Sequence, residues 1–326
     1  MACVGGNPLG GAVAREKDMA IKTVPKKEII MQALQKFPSR KAWLAARGMF
    51  GATAVPTIMG LNPWASPFAL WTELKGISPR QDENRAMRRG KALERFIIGE
   101  YSEETGRAVK WTPNTLATRG ILHASPDAIC EAEDLLVEAK SSESADAWSG
   151  DAPPLYVQAQ VQAQLWVMRA AAADVVALLP HDQLKTFRIL PDEKIMAERI
   201  LPAVHAFAES LKGDEPPWGQ IDASDATRSA LNTLWKARRV EGKIERVEKL
   251  DGAVSAIRDA EAQVKALNDI IEQNKNAVRS AIAELKADGI EAGGYIYELK
   301  TEPRKGYTVA ASESIQLKSR KPKEVK

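Results

Sequence analysis

The chain has 326 residues, with 46 basic against 43 acidic side chains and a formal net charge of +3. At 44% hydrophobic it is long enough for one large core and a second, smaller unit, while the near balance of charge means that any basic surface must come from local clustering. Cys3 and Cys130 form no CxxC pair, which argues against a zinc ribbon, an iron–sulfur site or a disulfide scaffold and makes a reducing cytoplasm the expected setting; no apolar run approaches a membrane span.

Residues 1–24, punctuated by Gly5, Gly6, Gly10 and Gly11, read as a disordered start rather than a signal peptide. Helical periodicity begins near Lys26 and continues through Phe37, and Ser39 is placed to cap a second helix carrying Trp43 and Leu44. A Gly-punctuated stretch runs from Gly48 to Gly60. The second half of LNPWASPFALWTELKG reads as a helix stopped by Gly76, and residues 81–105 read as one helix stopped by Gly106. GILHASPDAIC and DLLVEAK are strand-like, and Glu131–Asp134 between them suits a hairpin. PLYVQAQVQAQLWVMRAAA is rich in strong helix formers. DVVALLP and LKTFRIL follow as strands around a turn at His181–Asp182, and then comes a helix ending at Gly213. Pro216 and Pro217 mark an expected boundary, which places one domain at 25–218. Beyond it, Leu250, Ile257, Val264, Ile271, Val278 and Leu285 recur at heptad spacing, with Ala253, Ala260, Leu267, Asn274 and Ala281 as companions. This predicts a coiled-coil or helical-hairpin extension over 219–290, ended by Gly289. YIYELK and GYTVA suggest a small hairpin within 291–326, and the Lys/Arg-rich end reads as a tail.

The chemistry concentrates in SPDAIC and LLVEAK. Glu138 and Lys140 lie two apart on a strand, so their side chains share a face, and hairpin pairing brings Asp127 beside them. Hard carboxylate oxygens suit Mg²⁺ or Mn²⁺, a metal there would polarise a phosphoryl oxygen, and an ammonium would orient water and offset charge. Taken alone, the triplet also fits a solvated strand end with a structural ion pair. His123, His181 and His205 lie apart without metal-ligand spacing and are assigned no role. The basic stretch Arg85, Arg88, Arg89, Lys91, Arg95 reads as a solvated face or a phosphate track.

Four motifs in order extend the triplet: WLAARGMFGATAVPTIMGLNPWASPFALW, RRGKALERFI, SPDAIC with VEAK, and YVQAQVQAQLW. Over about residues 40–215 the chain resembles the PD-(D/E)XK nucleases of the YqaJ and lambda exonuclease group. The resemblance implies an α/β core with a mixed central sheet flanked by helices, followed by the helical extension. It implies metal binding by Glu94, Asp127 and Glu138, catalysis with Lys140, and help from Gln160 and Gln162. Helical geometry, however, pairs Gln160 with Gln164 and Gln162 with Gln158, so at most one pair faces the site. Arg47 and Thr53 match the residues that receive a DNA 5′-phosphate, with Thr53 standing where the family usually has Ser. Further implications are Mg²⁺-dependent 5′→3′ digestion of linear duplex DNA in a bacterial host cell, a homotrimer, and a phage single-strand annealing protein as partner. An endonuclease on the same core, or a non-catalytic DNA-binding or assembly protein acting through its helical arm, also fits the residues.

Overall fold

The computed structural model describes residues 34–48, 50–79 and 82–301. The expected disordered start, most of the Lys26–Phe37 helix, the GYTVA strand and the basic tail lie outside them. Where the described chain begins, Gln35–Lys36 is a strand, β1, rather than the end of a helix. It pairs antiparallel with Leu116 and Thr115, and Pro38 disfavours helical backbone in the residue before it. Contacts divide the chain into two units, one ending at Arg238 and the other starting at Arg239.

The first unit is a mixed α/β structure. Helix α1 (Arg40–Ala46) starts at Ser39, whose hydroxyl accepts from the amide of Ala42. After β2 (Phe50–Gly51) come α2 (Val55–Ile58), α3 (Pro67–Leu74) and the long α4 (Arg85–Thr105), which Gly106 ends at φ 66°. The strands are β3 (Lys110–Trp111), β4 (Thr115–Arg119), β5 (Leu122–Ala124), β6 (Ala128–Cys130) and β7 (Leu135–Ser141), then β8 (Ala172–Leu179) and β9 (Gln183–Ile189) after helix α5 (Leu155–Met168). One sheet has the order β1-β4-β5-β2 and the other β3-β6-β7-β8-β9. GILHASPDAIC is therefore two strands in two sheets, broken at Ser125–Asp127, where the chain crosses between them. β6 and β7 form the expected antiparallel hairpin, turned through Asp134 at φ 55°. β7 and β8 are parallel, and α5 is their crossover.

Strand alternation sorts β7 between two helices. Val137 packs with Ile97, Ile98 and Tyr101 of α4, whereas Leu136 joins the main core with Val157, Val161 and Leu165 of α5. Glu138 and Lys140 follow Leu136 onto the α5 side. On the α4 side, Asp174 of β8 is buried and ion-paired with Arg188, its register partner on β9, while the Tyr101 hydroxyl donates to it.

After β9, α6 (Glu193–Ile195) runs through a widened turn at Met196–Ile200 into α7 (Leu201–Ser210). Pro202, which has no N–H to donate, follows that turn. The Pro216–Pro217 bend does not end the unit. Helix α8 (Asp225–Arg238) buries Ala230 and Leu234 against Phe68 of α3, so the first unit continues past residue 218.

In the second unit, the heptad stretch is one continuous helix, α9 (Asp251–Glu284), and not a helical hairpin. It ends before Gly289, which instead opens β10 (Gly289–Ala292). That strand pairs with β11 (Tyr295–Glu298) through a turn at Gly293 and Gly294, both at positive φ, so YIYE has a partner upstream of it. Ile257, Val264 and Ile271 of the seam are each about half exposed in the single chain. Among the described residues, no helix is long and apolar enough to cross a membrane.

Candidate active site

Asp127 immediately precedes β6, and its Oδ2 accepts from the amide of Ala139 on β7 at 2.9 Å. This bond fixes the carboxylate between Glu138 and Lys140 along the hairpin. Glu138 is 4% exposed, and burying a carboxylate is costly unless it is fully paired. Its Oε1 accepts from Lys140 Nζ at 2.6 Å and from Gln160 Nε2 at 2.5 Å, and its Oε2 accepts from Gln164 Nε2 at 2.7 Å. Lys140 Nζ also donates to Gln160 Oε1 at 3.1 Å. The cluster draws on two adjacent residues of one strand face and one helix face with i, i+4 spacing.

Burial, and then the charges of Glu138 and Glu94, push the Asp127 carboxyl well above the usual carboxylate range; Lys140 and the Ala139 amide oppose this only in part. For Lys140 burial pulls downward, but Glu138 and Asp127 together outweigh it and hold the amine above its usual value, as a charged ammonium. Glu94 reaches the same region from α4, and its Oε1 accepts from the indole of Trp111 at 2.9 Å.

In front of this cluster is a cleft of about 680 Å³. One wall is the face of α1 bearing Arg40, Trp43 and Arg47; another is the start of α4, with Met87, Lys91 and Glu94 one turn apart. Thr53, His123, Ser125, Asp127 and Gln164 complete the lining. Arg47 sits with its guanidinium carbon 4.6 Å from the centre of the Trp43 ring, and Trp43 Nε1 donates to the carbonyl of Thr115 and the hydroxyl of Ser125.

Thus Arg47, Thr53, Glu94 and Asp127 share one cleft, with Glu138, Lys140 and Gln160 directly behind Asp127. Gln162 does not join them. Its amide donates to the carbonyl of Leu190 and accepts from the amide of Asp192, tying α5 to the chain after β9. The residue that sequence reasoning left out is Gln164; the signal was the i, i+4 spacing from Gln160. Within the basic stretch, Lys91 lines the cleft and pairs with Glu83, Arg89 pairs with Glu143, and Arg95 lies over Trp111. Trp43 is a half-buried wall of the cleft, and His123 contacts Arg47.

Among the described residues, no three His, Cys, Asp or Glu side chains stand close enough to hold a metal ion by themselves. Two features nevertheless fit a hard divalent cation. The Oε1 of Gln164 is buried without a hydrogen-bond partner, while its Nε2 is committed to Glu138, so the amide cannot turn round without setting oxygen against oxygen. Burial first, and then the charges of Glu138 and Glu94, hinder ionisation of Asp127, and a cation would relieve both the burial cost and the repulsion on it. All these donors are oxygens, the set that Mg²⁺ and Mn²⁺ prefer.

Residues 42–173 match the family model of the YqaJ-like viral recombinase domain. Over 265 residues the chain is 23% identical to the uncharacterized protein YqaJ of Bacillus subtilis (strain 168), covering 76% of this chain and 82% of that protein. Among solved structures it is similar to an alkaline exonuclease from Laribacter hongkongensis, at 24% identity and a TM-score of 0.42, over 61% of this chain and all of that one. It is also similar to a phage-related exonuclease from Haemophilus somnus 129PT, at 12% identity and a TM-score of 0.42, over 52% of this chain and 98% of that one.

Proposed function

We infer that this chain, which carries a YqaJ-like viral recombinase domain over residues 42–173, is a divalent-metal-dependent exonuclease with a PD-(D/E)XK core, digesting linear duplex DNA from 5′ ends. The observation that carries this reading is the cleft that Arg47 and Thr53 line together with the carboxylates of Asp127 and Glu94.

Asp127, Glu94 and Glu138, with the Gln164 carbonyl, are the residues that would hold Mg²⁺ or Mn²⁺. Such an ion supplies Lewis-acid charge that polarises a phosphoryl oxygen and makes a neighbouring water easier to ionise. The protein supplies the rest. Lys140, kept charged beside Glu138, donates to the reacting water or to a non-bridging phosphate oxygen and offsets the charge that builds there. Gln160 and Gln164 hold Glu138 in a single orientation, so the ammonium is positioned before substrate arrives. Arg47 and Thr53 bind the terminal 5′-phosphate, which sets which phosphodiester reaches Asp127 and so sets the direction of digestion.

A homotrimer and an annealing-protein partner belong to the same reading, and the half-exposed apolar seam of α9 supports association of some kind. The test of function is release of nucleotides from a linear duplex bearing 5′-phosphates, with Mg²⁺ and with EDTA. Mg²⁺-dependent release that leaves 3′ single strands is expected. Absence of release under Mg²⁺ would sink the enzyme reading, and cutting of closed circular DNA would favour an endonuclease.

A further inference from the structure

His123 lies on β5 between Leu122 and Ala124, both of which belong to the main core. Strand alternation therefore turns its imidazole the other way, onto the cleft. There Nε2 accepts a hydrogen bond from Nε of Arg47 at 3.1 Å. A guanidinium only donates, so this contact requires a neutral imidazole with its proton on Nδ1. Burial first, and the charge of Arg47 second, keep the ring neutral by pushing its pKa down to about 4. The Trp43 ring covers the guanidinium of Arg47, so that side chain has an aromatic face on one contact and an imidazole acceptor on another.

Gly51 adds an independent observation. It stands in register with His123 across the β2–β5 pairing. Its φ of −81° is open to any residue, so backbone torsion does not demand glycine there. Space does: a Cβ at this position would lie 2.9 Å from His123 Nε2 and 3.0 Å from Arg47 Nη2. A methyl group would fall against the imidazole and the guanidinium whose contact is in question.

We propose that His123 is a positioning residue which, through the room left at Gly51, holds Arg47 in the orientation that receives the terminal 5′-phosphate of the DNA substrate. This rests on the reading of Arg47 given above. His123 acts through Arg47, so its removal acts on discrimination between DNA ends rather than on the hydrolytic step.

The experiment compares 3′-labelled linear duplexes ending in a 5′-phosphate or a 5′-hydroxyl. Binding to the full chain is measured by fluorescence anisotropy in EDTA, where no turnover occurs, and KM and kcat are measured with Mg²⁺. His123→Phe keeps a ring of similar size and loses the acceptor; His123→Gln keeps an acceptor; Gly51→Ala changes neither partner but crowds both. In the wild type, 5′-phosphate ends are expected to bind more tightly. His123→Phe and Gly51→Ala are each expected to weaken that preference roughly tenfold, the size of one hydrogen bond to a charged group, through KM and not kcat. Binding of 5′-hydroxyl ends should be unchanged, and His123→Gln should retain most of the preference. A folded His123→Phe or Gly51→Ala protein with wild-type end preference overturns the proposal, as does an equal loss on both ends. A wild type with no preference at all refutes the role of Arg47 itself, so the two failures are told apart by the wild-type arm alone.

Discussion

Lys140 donates to both Glu138 and Gln160 at the edge of the cluster. Lys140→Ala is therefore expected to lower kcat by about 10²–10³-fold, the usual cost of one preorganised donor, while DNA binding in EDTA stays near wild type. Near-normal cleavage by that variant would refute its assignment. The glutamines separate in a similar test. Gln164→Ala removes a bond to Glu138 and the unpartnered carbonyl in the cleft, so it should impair turnover and raise the Mg²⁺ concentration needed for half-maximal rate. Gln162→Ala should leave that concentration unchanged and cost about 1–3 kcal/mol of stability, read in denaturant, because it orphans the backbone groups of Leu190 and Asp192. His123 adds a pH dependence. Its folded-state pKa of about 4 lies below the usual histidine value of 6.5, so the unfolded chain binds the extra proton between these limits. The contribution is fully present above about pH 6.5 and is lost as pH falls towards 4, by roughly 3 kcal/mol in all. The stability of the wild type relative to His123→Phe should fall by that order as pH drops through this window; a relative stability that stays constant with pH would contradict a buried neutral imidazole. At this scale the sequence is legible where chemistry follows a period. Glu138 and Lys140 share a face because strands alternate. Gln164 could have been preferred to Gln162 because i, i+4 neighbours share a helix face. The contact of Arg47 with His123 follows no period, since it joins residues 76 apart in sequence through the pairing of β2 with β5.

The elements explain why the site is held rigidly. Glu138 and Lys140 stand on a central strand, β7, paired on both sides, and Gln160 and Gln164 on the crossover helix that covers it. On the opposite face, Asp174 fixes β8 to β9 through Arg188 and to α4 through Tyr101. Asp174→Asn should cost about 2–3 kcal/mol in chemical denaturation. That lies below the ~3–5 kcal/mol of a fully buried pair, because Arg188 is 44% exposed and regains water. A loss under ~0.5 kcal/mol would mean that the network contributes little. Most elements were legible from periodicity and capping: Ser39, Gly76 and Gly106 mark helix ends where expected. What local pattern does not carry is partner choice. Gln35–Lys36 looks helical by period, yet it is held as a strand by pairing with a segment about 80 residues away. YIYE pairs with Gly289–Ala292 because two consecutive glycines supply the turn between them.

At the scale of the whole molecule, a net charge of +3 reveals nothing about DNA. Three basic groups, Arg40, Arg47 and Lys91, are gathered on one cleft by two helices that the sequence separates. The second unit keeps its apolar seam half exposed in the single chain, which is why heptad spacing alone predicts a helix but not its partner. The central claim for this molecule is that one cleft joins end recognition to metal-dependent hydrolysis. The most direct measurement follows nucleotide release from a linear duplex carrying a 5′-phosphate on one end only and a 5′-hydroxyl on the other, in Mg²⁺, with an EDTA control. Digestion that begins at the phosphorylated end, proceeds 5′→3′ and stops in EDTA is expected. Digestion at equal rates from both ends, or release that persists without divalent metal, would contradict that claim.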